Sequence, residues 1–150
     1  MSLVLNHVGI AVKNIEEAGS LYRDLGLRQW SKGIITQASM KMTQFGLGTN
    51  YLELLEPIES EDGPETPLIR FLKEKGEGIY HLSLFSDDFD NDISNLKKNG
   101  YTVKETQMGV DLFPGYTPRI AWLRPKETRG VLIELCDAAG HPKDYLERKI

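Results

Sequence analysis

The chain repeats itself, and nothing else in the sequence constrains its fold as strongly. Residues 5–26 (LNHVGIAVKNIEEAGSLYRDLG) align without a gap on residues 79–100 (IYHLSLFSDDFDNDISNLKKNG) at a constant offset of 74. His7 falls on His81, Val8 on Leu82, Ile10 on Leu84, Asn14 on Asp88, Ile15 on Phe89, Tyr22 on Leu96 and Gly26 on Gly100. Farther along, residues 51–56 (YLELLE) match residues 132–137 (LIELCD) at an offset of 81. The longer offset requires an insertion in the second half, and the Gly- and Pro-rich stretch from Thr106 to Pro118 is where it is expected. A period near 75 is too long for a solenoid unit. It reads as a module of half the chain, present twice.

Each module has the same internal order. It opens with an alternating strand, in which Val8, Ile10 and Val12 share one face and Leu5, His7, Gly9 and Ala11 the other. A helix follows, with Asn14 as N-cap, Glu17 completing a capping box, a stripe of Ile15, Ala18, Leu21, Tyr22 and Leu25, and Gly26 as the stop. The second module repeats this with Asp88 as cap, Phe89, Ile93 and Leu96 as stripe, and Gly100 as stop. Strands are expected near 27–32, 39–46 and 49–56, and again near 102–105, 119–124 and 131–137. The acidic loop 59–66 separates the modules, a linker helix runs over about 67–75 from Pro67 to the stop at Gly76, and a further turn or two of helix is expected after Pro142. The fold class is therefore α+β: one domain of two tandem βαβββ modules, about 3–57 and 79–137.

At 150 residues the chain is long enough to bury a core without staples. No apolar run approaches the roughly 20 residues of a membrane span, and the first residues do not read as a secretory signal. Cys136 is the single cysteine, so no internal disulfide forms and the cytoplasm is the expected compartment. A net charge of −4 argues against a general nucleic-acid surface while leaving room for a local basic pocket.

The repeat also pairs four ionisable residues: His7 with His81, and Glu53 with Glu134. Each sits in an expected strand between apolar neighbours that point the other way, so all four fall on the sheet face away from the helices. A lone histidine in a strand is ordinarily structural, and a lone glutamate usually wet. Here two of the three histidines occupy one position of the repeat, each accompanied by a glutamate late in the same module. Two imidazoles and two carboxylates converging on one face suit a divalent ion, with the two carboxylates offsetting its charge. Zn, Co, Ni and Mn are all compatible with these donors. His141 lies in a polar tail and reads as solvated.

With these motifs in view, the chain resembles the vicinal oxygen chelate superfamily (glyoxalase, bleomycin resistance and dioxygenase proteins), and within it the methylmalonyl-CoA epimerases. The stretches that carry the likeness are 6–12 (NHVGIAV), 48–57 (GTNYLELLEP), 71–81 (FLKEKGEGIYH) and 124–135 (RPKETRGVLIEL). The resemblance implies a cup-shaped, half-open mixed sheet with helices on its outer face, and a homodimer. It implies metal ligands at His7, Glu53, His81 and Glu134, and an acyl-CoA substrate epimerised through a metal-stabilised enolate. Glu134 is then ligand and base, and Glu53 the second acid/base. A basic loop of Arg124, Lys126 and Arg129, beside the strand carrying Glu134, would bind the CoA end. The chain departs from the family pattern at Gln37-Ala38-Ser39, at Met42 (where some epimerases carry an additional glutamate) and over 108–116. A glyoxalase I-like lactoylglutathione lyase, or another metal-dependent isomerase or lyase of the superfamily, is the alternative. A dioxygenase would be crowded by a fourth protein ligand at Glu53, and a ligand-sequestering resistance protein has no need of the metal set.

Overall fold

The computed structural model describes residues 3–60, 63–107 and 118–139. The expected insertion loop, apart from its two ends, and the expected helical turns after Pro142 lie outside the described residues.

In the first half come β1 (Leu3–Ala11), α1 (Ile15–Asp24), β2 (Gln29–Ile35), β3 (Met40–Leu47) and β4 (Asn50–Pro57), with a 3-10 turn at Thr36–Ala38 before β3. The helix α2 (Pro67–Lys75) leads to the second half: β5 (Gly78–Ser86), α3 (Phe89–Lys98), β6 (Val103–Gln107), β7 (Arg119–Leu123) and β8 (Leu132–Asp137). The strands form one mixed open sheet in the order β2-β3-β4-β1-β5-β8-β7-β6. In each half the opening strand runs parallel to the closing one, β1 with β4 and β5 with β8. The halves are joined edge to edge by antiparallel pairing of β1 with β5.

The apolar face of each strand set is covered by its own helix. Ile15, Ala18 and Tyr22 of α1 pack on Ile10, Phe45 and Leu54. Phe89, Ile93 and Leu96 of α3 pack on Ala121, Leu123 and Leu135. α2 lies elsewhere. Its Leu68, Phe71 and Leu72 close over Ala11, Met42 and Leu55, at one end of the opposite face.

The caps differ between halves. Asn14 accepts a 2.9 Å hydrogen bond from the Glu17 amide, and Gly26 follows α1 with φ +82°, a conformation glycine adopts without a Cβ penalty. Asp88 stands at the N-cap of α3 but its side chain makes no cap hydrogen bond. Ser86, buried, braces the start of α3 instead: its hydroxyl accepts from the amide of Asp88 itself and donates to Asp92 Oδ2 at 2.6 Å.

Simple alternation along β1 fails at one point. The register against β5 shifts between Leu5 and His7, so Asn6 is an extra residue, and Leu5 pairs with Leu84 of the helix-covered face. Leu5 therefore does not share the face of His7, as the sequence pattern had it, and stands partly exposed. A second shift makes Tyr80 the extra residue of β5. Asn6-His7 and Tyr80-His81 are the same position of the repeat. The pairing between modules thus carries a bulge immediately before each histidine, a device that re-aims side chains beside a site.

Candidate metal centre

His7 lies on β1, Glu53 on β4, His81 on β5 and Glu134 on β8, which are the four central strands. All four side chains are buried. His7 Nε2 is 2.8 Å from His81 Nε2, 3.3 Å from Glu53 Oε2 and 3.8 Å from Glu134 Oε1. Donor atoms of His7, Glu53 and His81 all lie within 4.8 Å of one another. Glu134 stands beside this tight group, nearest to His7.

Each ring is held by shape. His7 stacks on Tyr51 with centroids 4.6 Å apart, and His81 meets Trp122 edge-on at 5.5 Å. Gly9 is what lets His81 in: a Cβ at that position would stand 2.2 Å from His81 Cε1. Each ring turns Nε2 to the cluster, while Nδ1 is buried without a hydrogen-bond partner among the described residues.

The carboxylates are held by hydrogen bonds. Gln44 Nε2 donates to Glu53 Oε1 at 3.2 Å, and Ser31 Oγ donates to Gln44 Oε1 at 2.5 Å. Ser83 Oγ donates to Glu134 Oε1 at 2.7 Å, the Cys136 thiol to the same oxygen at 3.2 Å, and Asn6 Nδ2 to Ser83 Oγ at 3.2 Å.

Electrostatics divide the two histidines. Burial pulls His7 down, but the charge and hydrogen bond of Glu53, helped by Glu134, outweigh it and hold His7 above the usual imidazole range. Burial dominates at His81 and holds it below that range. For Glu53, burial is outweighed by His7, His81 and Gln44, and the carboxyl is held below the usual range. Burial and the neighbouring Glu134 push the Cys136 thiol well up, so it stays a protonated donor.

This donor set fits one divalent ion. Imidazole nitrogen and carboxylate oxygen bind such ions at about 2.0–2.2 Å, which at tetrahedral or octahedral angles puts neighbouring donor atoms about 2.8–3.6 Å apart. The His81 and Glu53 spacings from His7 Nε2 fall in that range, and the 3.8 Å to Glu134 lies just beyond it. Two carboxylates also balance a double positive charge in a buried site.

Arg124, Lys126 and Arg129 are exposed on the turn between β7 and β8, around Glu127, whose carboxylate accepts the Thr102 amide. They stand at the end of the sheet where β8 begins and are not part of the buried cluster. Met42 is buried beneath α2 among apolar side chains.

Sequence reasoning did not single out Gln44, Ser83, Cys136, Tyr51 or Gly9. Four of these carried a usable signal. Tyr51, Ser83 and Cys136 lie two residues from Glu53, His81 and Glu134, and Gly9 two from His7, one step of the strand period. Asn6 carried none, because only the bulge brings it to this face.

A family model for the Glyoxalase/Bleomycin resistance protein/Dioxygenase superfamily matches residues 6–112. The chain belongs to this superfamily. Among its relatives is the uncharacterized protein YqjC of Bacillus subtilis, 31% identical over 140 residues, which are 91% of this chain and 93% of YqjC. The mitochondrial methylmalonyl-CoA epimerase of Mus musculus is 32% identical over 135 residues, 87% of this chain and 71% of that protein. The crystal structure of methylmalonyl-CoA epimerase from Mycobacterium tuberculosis superposes with a TM-score of 0.77 at 26% identity, covering 93% of this chain and 89% of its own. The superfamily fold, an open mixed sheet built from two βαβββ halves, is the one found here. Among the described residues no helix is long and apolar enough to cross a membrane.

Proposed function

We propose that this chain is a divalent-metal-dependent epimerase interconverting (R)- and (S)-methylmalonyl-CoA, acting in the cytoplasm as a homodimer of single domains, each with modules at about 3–57 and 79–137. One observation carries the reading: a matching histidine and glutamate from each repeat meet on one buried face. The epimerases of Mus musculus and Mycobacterium tuberculosis among the relatives support the substrate class.

His7, Glu53, His81 and Glu134 would hold the ion, whether Zn, Co, Ni or Mn. When bound, it supplies Lewis-acid stabilisation of negative charge on a substrate carbonyl oxygen. The remaining work falls to side chains. Inverting the carbon next to a thioester needs a proton removed from one face and returned to the other. Glu134 is assigned the removal, since its carboxylate is fixed through one oxygen by Ser83 and Cys136. Glu53, contributed by the other module, is assigned the return. Tyr51 and Trp122, packed on the two imidazoles, are assigned to hold those rings in place. Arg124, Lys126 and Arg129 are assigned to the phosphates of CoA, which arginine and lysine bind as charge-assisted donors.

Deuterium wash-in at the α-carbon of methylmalonyl-CoA tests the proposal. Exchange should appear with metal, vanish with a chelator and return when the ion is restored. Full exchange in a metal-loaded Glu134→Gln protein would overturn the role of Glu134. Faster turnover of the glutathione hemithioacetal than of methylmalonyl-CoA would replace the epimerase with a glyoxalase I-like lyase.

A further inference from the structure

The two carboxylates of the cluster are not held alike. Glu53 presents Oε2 to His7, and the oxygen occupied by Gln44 is the other one, Oε1. A full lone-pair complement therefore faces the imidazoles. Glu134 is the reverse. The oxygen that approaches His7 is Oε1, and that same atom receives both the Ser83 hydroxyl and the Cys136 thiol. Donors on a carboxylate oxygen withdraw the electron density a cation would use.

The direction of the Ser83 bond is fixed by its neighbour. Asn6 Nδ2 is a donor only, and it points at Ser83 Oγ from 3.2 Å. Ser83 has a single hydroxyl proton, and with the Asn6 amide donating to its oxygen that proton goes to Glu134 Oε1 at 2.7 Å in preference to the weaker acceptor Cys136 Sγ at 3.6 Å. Ser83 is fully buried, so no bulk water competes for it. Asn6 Oδ1 is buried without a partner among the described residues, so the contact with Ser83 is the amide's one side-chain hydrogen bond there. Asn6 faces the site because of the bulge that also aims His7. The chain Asn6–Ser83–Glu134 thus runs across β1, β5 and β8, from one module into the other.

We propose that Ser83, ordered by Asn6, is a positioning residue that occupies the oxygen of Glu134 facing His7, so that Glu134 is the more weakly held carboxylate and Glu53 the firmer metal ligand. The assignment of proton transfer to Glu134 rests on the epimerase reading above; the difference in how the two carboxylates meet a cation does not.

The test is Ser83→Ala, with Ser83→Thr as the variant that keeps the hydroxyl, each loaded with Co(II). Removing the hydroxyl should leave Oε1 with the weaker Cys136 thiol as its only donor among the described residues. Co(II) should then bind at least as tightly as in the unaltered protein, and its visible absorption should shift as Glu134 engages the ion. α-Proton exchange should fall in kcat by about 10–100-fold, the usual size for a supporting residue at a metal site, with KM unchanged. Ser83→Thr should recover most of the rate. Co(II) affinity that falls in step with exchange would overturn the proposal, as would an unchanged spectrum and an unchanged kcat. Should Ser83→Ala fail to fold, Asn6→Ala removes only the ordering amide and should give the same spectral shift in weaker form; no shift there would count against the idea. If the unaltered protein exchanges no α-proton at all, the epimerase reading fails, while the Co(II) spectrum of Ser83→Ala still decides the role of Ser83.

Discussion

Gly9 and Ser83 occupy the same position in the two repeats and do opposite things. Gly9, in the first module, contributes empty space that His81 fills. Ser83, in the second, fills the equivalent space and bonds Glu134. The same contrast recurs one strand out. Glu53 is opposite Gln44 in the sheet register and is hydrogen-bonded to it, whereas Glu134 is opposite Trp122, an aromatic ring packed on His81. The repeat gives both halves a matching histidine and glutamate, and different residues around them make the halves unequal. Symmetry is kept where donor atoms must converge and lost where each donor is tuned.

Substitutions at the ligands should show the symmetric part most strongly. His7→Ala and His81→Ala should each weaken Co(II) or Zn(II) binding, followed by titration calorimetry, by more than about 100-fold, beyond what loss of a supporting residue costs. Similar losses for both would support equal partnership of the modules. A loss confined to one would break it.

The asymmetric positions come next. Gly9→Ala must displace the His81 ring or the backbone, and overpacking of this kind costs about 1–3 kcal/mol in urea unfolding, with weakened metal uptake alongside. A stable Gly9→Ala protein with normal metal binding would mean that His81 does not need its present seat. Gln44→Leu strips Glu53 Oε1 and Ser31 of their buried partner and should cost about 1–3 kcal/mol by the same measurement.

The smallest effect is expected at Glu56, which bridges Lys41 and the first amide of α1. Its repeat partner Asp137 is bridged through Arg119 to Asp90 in the first turn of α3. Burial pushes Glu56 up, but Lys41 and the Ile15 amide outweigh it and hold the carboxyl below its usual range. A depressed carboxyl contributes stability that is fully present above the unfolded-chain value and is lost as pH falls through the folded one. Glu56→Gln should therefore cost about 0.5–1 kcal/mol at neutral pH, in line with charge at a helix N-terminus. That difference from the unaltered protein should shrink as unfolding is repeated in progressively more acid solution.

The sequence made the duplication legible because identity at His, Gly and Glu survived with constant spacing, and period-two alternation then carried the four ionisable residues to one face. The bulges were hidden, since an extra residue in one strand leaves no mark in its own sequence and shows only against the partner strand. For that reason strict alternation puts Leu5 on the wrong face and gives no sign of Asn6. Asp88 does stand at the N-cap of α3, as its side-chain type suggests, but makes no side-chain cap bond, and its own amide is held by Ser86, which also serves the buried Asp92. Gln44 and Trp122 depend on cross-strand register, which loop lengths alone did not settle.

The bulged ribbon of β1 and β5 is the hydrogen-bonded seam between the two halves, and both imidazoles are mounted on it. Neither half owns a complete cage. A two-residue slip along that ribbon would keep every outward-facing side chain outward, yet it would carry His7 and His81 past each other by more than a bond's reach. Convergence of the four side chains is thereby a gauge of alignment between the halves, and shear along this line would dismantle the proposed ion site while each half still retained its own core.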